Sequence, residues 1–80
     1  MKNQMRNSLA KLVSLNLDLE KYFVISFSDR GEISMQGNFE EETLKELIKA
    51  GFERYEYLYQ NREDRLEYKL DNVRVLLNKN

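Results

Sequence analysis

The sequence contains no histidine and no cysteine. Their absence removes the commonest general base, the commonest soft metal ligands and the strongest side-chain nucleophile. Chemistry would fall to carboxylates, lysine, tyrosine or serine alone. The chain therefore reads as non-enzymatic, with no catalytic group, cofactor or metal site expected. Lack of cysteine also excludes disulfides and thiolate clusters, and a small domain without such staples suits a cytoplasmic setting better than a secreted one. No run of about 18 apolar residues is present, which excludes a transmembrane helix. Lys2 and Arg6 precede no continuous apolar stretch of the signal-peptide kind. No membrane partner is expected. Proline and tryptophan are missing too, and the glycines at 31, 37 and 51 lie too far apart to build a phosphate cradle. The net charge of −1 gives no overall pull toward nucleic acid.

What is present organises around one stretch, Asn38 to Phe52. Asn38 has the character of an N-cap, with Glu41 three residues later completing a capping box. Glu40, Glu41 and Glu42 fall in the first turn, where the helix dipole favours negative charge. Leu44, Leu47, Ile48 and Gly51 recur at helical spacing. Gly51 then offers a left-handed stop, after which Phe52 folds back on Leu47. The spacing predicts a helix over about 39–50.

Upstream, Lys2, Arg6 and Lys11 give residues 1–14 a local charge of +3. Leu9, Leu12 and Val13 behind Ser8 predict a short helix over about 8–15, with 1–7 a flexible basic terminus. Leucines alternate from Leu15 to Leu19, which suits a short extended segment or a continued helix. Tyr22–Ser28 and Glu32–Gly37 read as a hairpin whose Asp29-Arg30-Gly31 loop fits a type I turn with a G1 bulge. Placing Ser28 opposite Glu32 sets Phe27 against Ile33, Ile25 against Met35 and Phe23 against Gly37 on an apolar face. Ser26 then meets Ser34, and Val24 meets Gln36.

Downstream, a second hairpin follows if Asn61 opposes Asp64. Tyr59 then meets Leu66, Tyr57 meets Tyr68 and Tyr55 meets Leu70, while Glu56–Lys69 and Arg54–Asp71 pair opposite charges on the other face. Inward parity changes at Asp71-Asn72, implying a bulge or tight turn before a last strand, Val73–Leu77. A helix capped by Asp71 is the alternative there, but Val-Arg-Val is β-prone. Residues 78–80 form a polar tail. Eighty residues suffice for one domain near the lower size limit. The fold expected is a single α+β domain: an antiparallel sheet of four to five short strands, built from two hairpins, packed against the central helix with a short N-terminal helix beside it.

For function the sequence points to surfaces. Tyr55, Tyr57, Tyr59 and Tyr68 are either the wall of the core or, with Arg54, an aromatic contact surface of the kind enriched at protein interfaces. Exposed aromatics also stack on bases in single-strand-binding sheets, but acids outnumber bases in this hairpin and would repel phosphate. Glu40, Glu41 and Glu42 form a weaker acidic patch that is chiefly a favourable helix start. An unclosed sheet also offers edges for a homodimer or a partner strand. A compact Lys/Glu/Asn-rich chain without reactive side chains has the character of small accessory proteins of bacteria and phages. The leading expectation is a non-enzymatic protein-binding module, an inhibitor or regulator acting by surface occlusion. The alternative is a nucleic-acid-binding accessory domain using the basic N-terminal segment and exposed tyrosines.

Overall fold

A computed structural model describes residues 2–55 and 65–79. Helix α1 (Lys2–Ser14) leads through a short 3-10 turn (Leu19–Lys21) into strands β1 (Tyr22–Phe27) and β2 (Ile33–Asn38). Helix α2 (Glu41–Ala50) follows, then strands β3 (Glu53–Tyr55), β4 (Arg65–Leu70) and β5 (Val73–Asn78). The strands make one five-stranded sheet in the order β1-β2-β5-β4-β3. Leu12 of α1 and Leu47 of α2 share a core with Ile33, Met35, Val73, Val75 and Leu77, so both helices serve the same face of the sheet. This is the α+β domain the sequence predicts.

The first hairpin forms in the expected register from Val24↔Gln36 to Phe27↔Ile33. Its turn is also as expected: Ser28 N–H donates to Glu32 O at 2.9 Å, Gly31 N–H donates to Ser28 O at 3.1 Å, and Gly31 has φ 85°. The far end differs. A bulge between Tyr22 and Val24 puts Tyr22, not Phe23, opposite Gly37. Tyr22 is thereby buried in the core while Phe23 is turned out to solvent. The extra residue shifts the alternation by one and exchanges the two rings.

Helix α2 starts later than expected. Asn38 is the last residue of β2 and pairs with Asn78, and Phe39 N–H donates to Asn78 O at 2.8 Å. The sheet takes the backbone that a cap at Asn38 would need, so Glu40 becomes an extended N-cap with no side-chain cap bond. The stop is as read: Gly51 has φ 102°, and Phe52 N–H donates to Leu47 O at 2.9 Å. The buried face is Thr43 and Leu47, with Leu44 and Ala50 partly buried, and Ile48 lies outside it.

Helix α1 is longer than 8–15, since the backbone is already helical from Lys2, where a flexible terminus was expected. Only Leu12 of the three apolar residues is buried, and Leu9 and Val13 are exposed. Residues 15–19 are neither strand nor continued helix. Asn16 takes a left-handed φ of 58° that ends α1, and Leu15, Leu17 and Leu19 pack partly buried against the core. Ser8 is buried, and its Oγ donates to Gly31 O at 2.8 Å, tying α1 to the first hairpin tip. The Asn72 side chain donates to the same oxygen from the β4–β5 turn. Ser8→Ala removes one of two donors and is expected to cost about 1 kcal/mol, read as a lower denaturant midpoint at unchanged slope.

Three of the four strand pairings are antiparallel, as expected. The fourth, β2 with β5, is parallel, from Ile33↔Val73 to Asn38↔Asn78. It joins the two halves of the chain and makes the sheet mixed. Leu70↔Val73 leaves Asp71-Asn72 as a tight two-residue turn, with Asp71 at φ 52°. That turn produces the parity change, and β5 is a strand and not a helix.

Candidate functional site

The residues expected to carry binding fall on two edges and in the interior. Tyr68 stands opposite Val75 in the core face and is 7% exposed, so its ring belongs to the hydrophobic core. Tyr55 is on the other face. It stands opposite Glu67, where Leu70 was expected, a slip of three residues; Arg54 stands opposite Tyr68 and not Asp71. An odd slip turns every side chain over. Phe52 explains it: the Gly51 stop locks that ring in the core, which fixes 52 and 54 on the inward parity and sends 53 and 55 outward. Tyr55, 40% exposed, lies under Lys69, whose Nζ is 4.9 Å from the ring centroid. Arg54 is exposed at the same edge strand, β3. Tyr57, Tyr59 and Glu56, and the turn Asn61–Asp64, lie outside the described residues.

The helix-free face is closed at its centre. Leu76 and Glu67 stand opposite each other there, and both are buried. Arg74 grips the Glu67 carboxylate with two donors, Nε at 2.9 Å and Nη2 at 3.1 Å. A buried carboxylate held by a guanidinium fork is a charge-assisted, bidentate pair that ties β4 to β5.

Glu40 and Glu42 converge on one cation. Lys21 Nζ lies 2.9 Å from Glu40 and 3.2 Å from Glu42, and these two carboxylates raise its pKa, keeping it firmly protonated. Glu41 is exposed. The three acids are thus partly a clamp on the segment entering β1. Among the basic N-terminal residues, Lys11 is taken up by Asp71 at 2.9 Å, which weakens the case for a basic arm. No group of acids that could hold a metal ion occurs among the described residues, and no described helix is long and apolar enough to cross a membrane.

Tyr22 sits just inside the clamp. Its hydroxyl is buried and makes no hydrogen bond among the described residues. Burial first, then the carboxylates of Glu46 and Asp18, push its pKa up from 10.0 to about 12. Between those values the unfolded chain ionises Tyr22 while the folded chain keeps the proton. Stability therefore falls as pH rises through that window. Tyr22→Phe removes both the alkaline loss and an unpaired buried hydroxyl. It is expected to stabilise the fold by about 1 kcal/mol at neutral pH, with a flatter decline above pH 10 in urea titrations; a steeper decline would refute the assignment.

The surface that sequence reasoning missed is β1 itself. Among the described residues the sheet ends at this strand, which carries no charge from Tyr22 to Phe27. Phe23 is 57% and Val24 42% exposed. A signal was available: an uncharged run with apolar residues on both parities cannot bury both sides at the end of a sheet. Lys21, Tyr22 and Phe23 together with Asp18, Glu20 and Glu40 line a shallow groove of about 470 Å³ at the start of the strand. Comparison of the chain with protein-family models, with curated proteins and with solved structures finds no match in any of the three.

Proposed function

We propose that this protein is a non-enzymatic protein-binding module, a small inhibitor or regulator that works by occluding a surface, and that the free edge of β1 makes the contact. The supporting observation is the combination of an edge position, an uncharged six-residue strand and two exposed apolar side chains, Phe23 and Val24. Edge strands in proteins that avoid association carry Lys or Pro, are bulged, or are covered; beyond its bulge at Tyr22/Val24, β1 carries neither Lys nor Pro. Strand addition to such an edge draws affinity from main-chain hydrogen bonds and specificity from alternate side chains. Tyr55 and Arg54 belong to the opposite edge, four strand spacings or roughly 19 Å away, so the two surfaces can be tested separately.

Tagged wild-type chain, Val24→Lys and Tyr55→Ala are compared as baits in extracts of the native host. The expected result is a protein recovered by wild type and Tyr55→Ala and lost with Val24→Lys. Equal recovery by Val24→Lys and wild type would overturn the assignment to β1, and recovery of bait alone by all three would overturn protein binding.

A further inference from the structure

We infer that the segment received at the β1 edge is a basic one, an extended stretch of a partner protein whose arginine enters the groove at the start of the strand. The inference deepens the proposed function and rests on β1 being the binding edge.

The groove is dominated by one sign of charge. Asp18, Glu20, Lys21 and Glu40 line it, and Glu42 brings its carboxylate to the same Lys21 ammonium from the first turn of α2. Four carboxylates against one ammonium leave a net −3, in a chain whose total is −1. Lys21 does not cancel this excess, because its single charge is shared between Glu40 and Glu42. Asp18 is exposed and spends one oxygen on the Glu20 N–H. Glu20 is exposed too, and its carboxylate has no partner among the described residues. A second cation is what the arrangement lacks.

Two aromatic residues select the kind of cation. Phe23 lines the same groove and is 57% exposed. A guanidinium stacks on an aromatic ring and forks onto carboxylates, so arginine suits these walls better than lysine. Tyr22 lies deeper. It lines the groove while only 8% exposed, and its hydroxyl has no hydrogen-bond partner among the described residues. The charge of Asp18 acts on that hydroxyl, which sets it toward the acidic wall. An arginine N–H entering beside Asp18 is the donor it is missing.

The edge leads a chain to this point. Bonded and non-bonded pairs alternate along an antiparallel ladder. Ser28 N–H donates to Glu32 O, and the register continues through Ser26↔Ser34 and Val24↔Gln36. Ile25 and Phe27 therefore present N–H and C=O to the free side. The bulge between Tyr22 and Val24 interrupts the ladder. A segment paired at Ile25 and Phe27 thus leaves main-chain pairing near Phe23, and the side chains that follow reach the groove. Main-chain bonds hold the strand, and the carboxylates choose its charge.

The probes are two end-blocked peptides, Arg-Thr-Val-Thr-Val-Thr and Thr-Val-Thr-Val-Thr-Arg, which cover both strand directions, with counterparts carrying Glu in place of Arg. Each is titrated at low salt into the isotope-labelled full chain and followed by amide chemical shifts. Circular dichroism confirms that every variant is folded. One arginine peptide is expected to shift the amides of Glu20, Lys21 and Phe23 together with Ile25 and Phe27. It is expected to bind roughly fivefold more tightly than its glutamate counterpart. Glu20→Lys is expected to weaken it by roughly fivefold. Glu53→Lys, the same change of net charge on exposed β3, is expected to leave it within about twofold. Tyr22→Phe, which stabilises the fold, is expected to weaken the same peptide by roughly threefold. Equal binding of arginine and glutamate peptides overturns the inference, as do equal effects of Glu20→Lys and Glu53→Lys, undiminished binding to Tyr22→Phe, or no shifts with any peptide at millimolar concentration. In the extract experiment, a host protein lost with Val24→Lys but kept with Glu20→Lys sinks the basic segment while leaving the β1 edge as the binding surface.

Discussion

Leu47→Ala is expected to remove about 2–5 kcal/mol of stability, while Ile48→Ala, one residue on, stays within about 0.5 kcal/mol of wild type. The two residues are equivalent in the sequence pattern. In the fold Leu47 is completely buried, and its carbonyl accepts the Phe52 N–H that closes the helix. Truncation there leaves a cavity between α2 and the sheet, and the rigid Gly51 stop prevents the helix from sinking to fill it. Ile48 is 58% exposed, so its truncation removes little apolar contact and slightly improves helix propensity. For a domain of this size total stability is of order 4–12 kcal/mol, so Leu47→Ala uses up much of it. Urea denaturation followed by far-ultraviolet circular dichroism measures both. Equal losses at the two positions would mean that α2 is rotated from the orientation described, with the stripe Leu44/Leu47/Ile48 facing the sheet after all.

The contrast between those neighbours shows which parts of the fold a local pattern fixes. The first hairpin was legible because turn chemistry and alternation were independent and agreed: Gly31 demands one register, and the apolar face demands the same one. The helix stop was legible for a similar reason. Its orientation was not, because a stripe of four apolar residues on a short helix leaves the rotation open by one position, and only contact with the sheet decides it. The second hairpin shows a different failure. Pairing tyrosines with leucines and acids with bases gave an attractive register, yet Phe52 had already fixed the inward parity of the strand that follows. Tyr55 was bound to point outward once Phe52 was buried. The local stop outranks cross-strand preferences worth only about 0.2–1 kcal/mol each.

The exposed edge at β1 was hidden for a topological reason. That Tyr22–Phe27 is uncharged is plain in the sequence. That it lies at the end of the sheet depends on β5 inserting beside β2, a parallel pairing between residues forty positions apart, such as Ile33 and Val73. No local pattern reports such a contact. The expected site residues were chosen for their chemistry, aromatic or acidic. The structure instead puts Tyr68 in the core and Glu40 and Glu42 on Lys21, and leaves exposed the apolar pair that chemistry alone had made unremarkable.

Gly37→Ala is expected to cost about 1–2 kcal/mol net, by a mechanism distinct from that at Gly51. An added Cβ at Gly37 would lie 2.9 Å from Lys21 O and 3.1 Å from a Tyr22 ring carbon. The first of these is backbone, so it cannot swing aside, and the bulge that exposes Phe23 begins at that point. Relief requires β1 to move away from β2 at Tyr22, which loosens both the buried ring and the Lys21 clamp. Part of the cost is offset because alanine restricts the unfolded chain more than glycine does, by about 0.4–1 kcal/mol. At Gly51 the nearest atom to an added Cβ is Leu70 Cδ1 at 3.8 Å, so space is ample and the cost, about 1–2 kcal/mol, comes from the left-handed backbone. Asparagine separates the two causes, because it tolerates a left-handed φ but is larger than alanine. Gly51→Asn is therefore expected to be more stable than Gly51→Ala, and Gly37→Asn less stable than Gly37→Ala. Measuring all four midpoints decides it: asparagine outperforming alanine at both positions would place the strain at Gly37 in the backbone angle, and the close approach of β1 that frames the exposed edge would no longer explain why glycine is there.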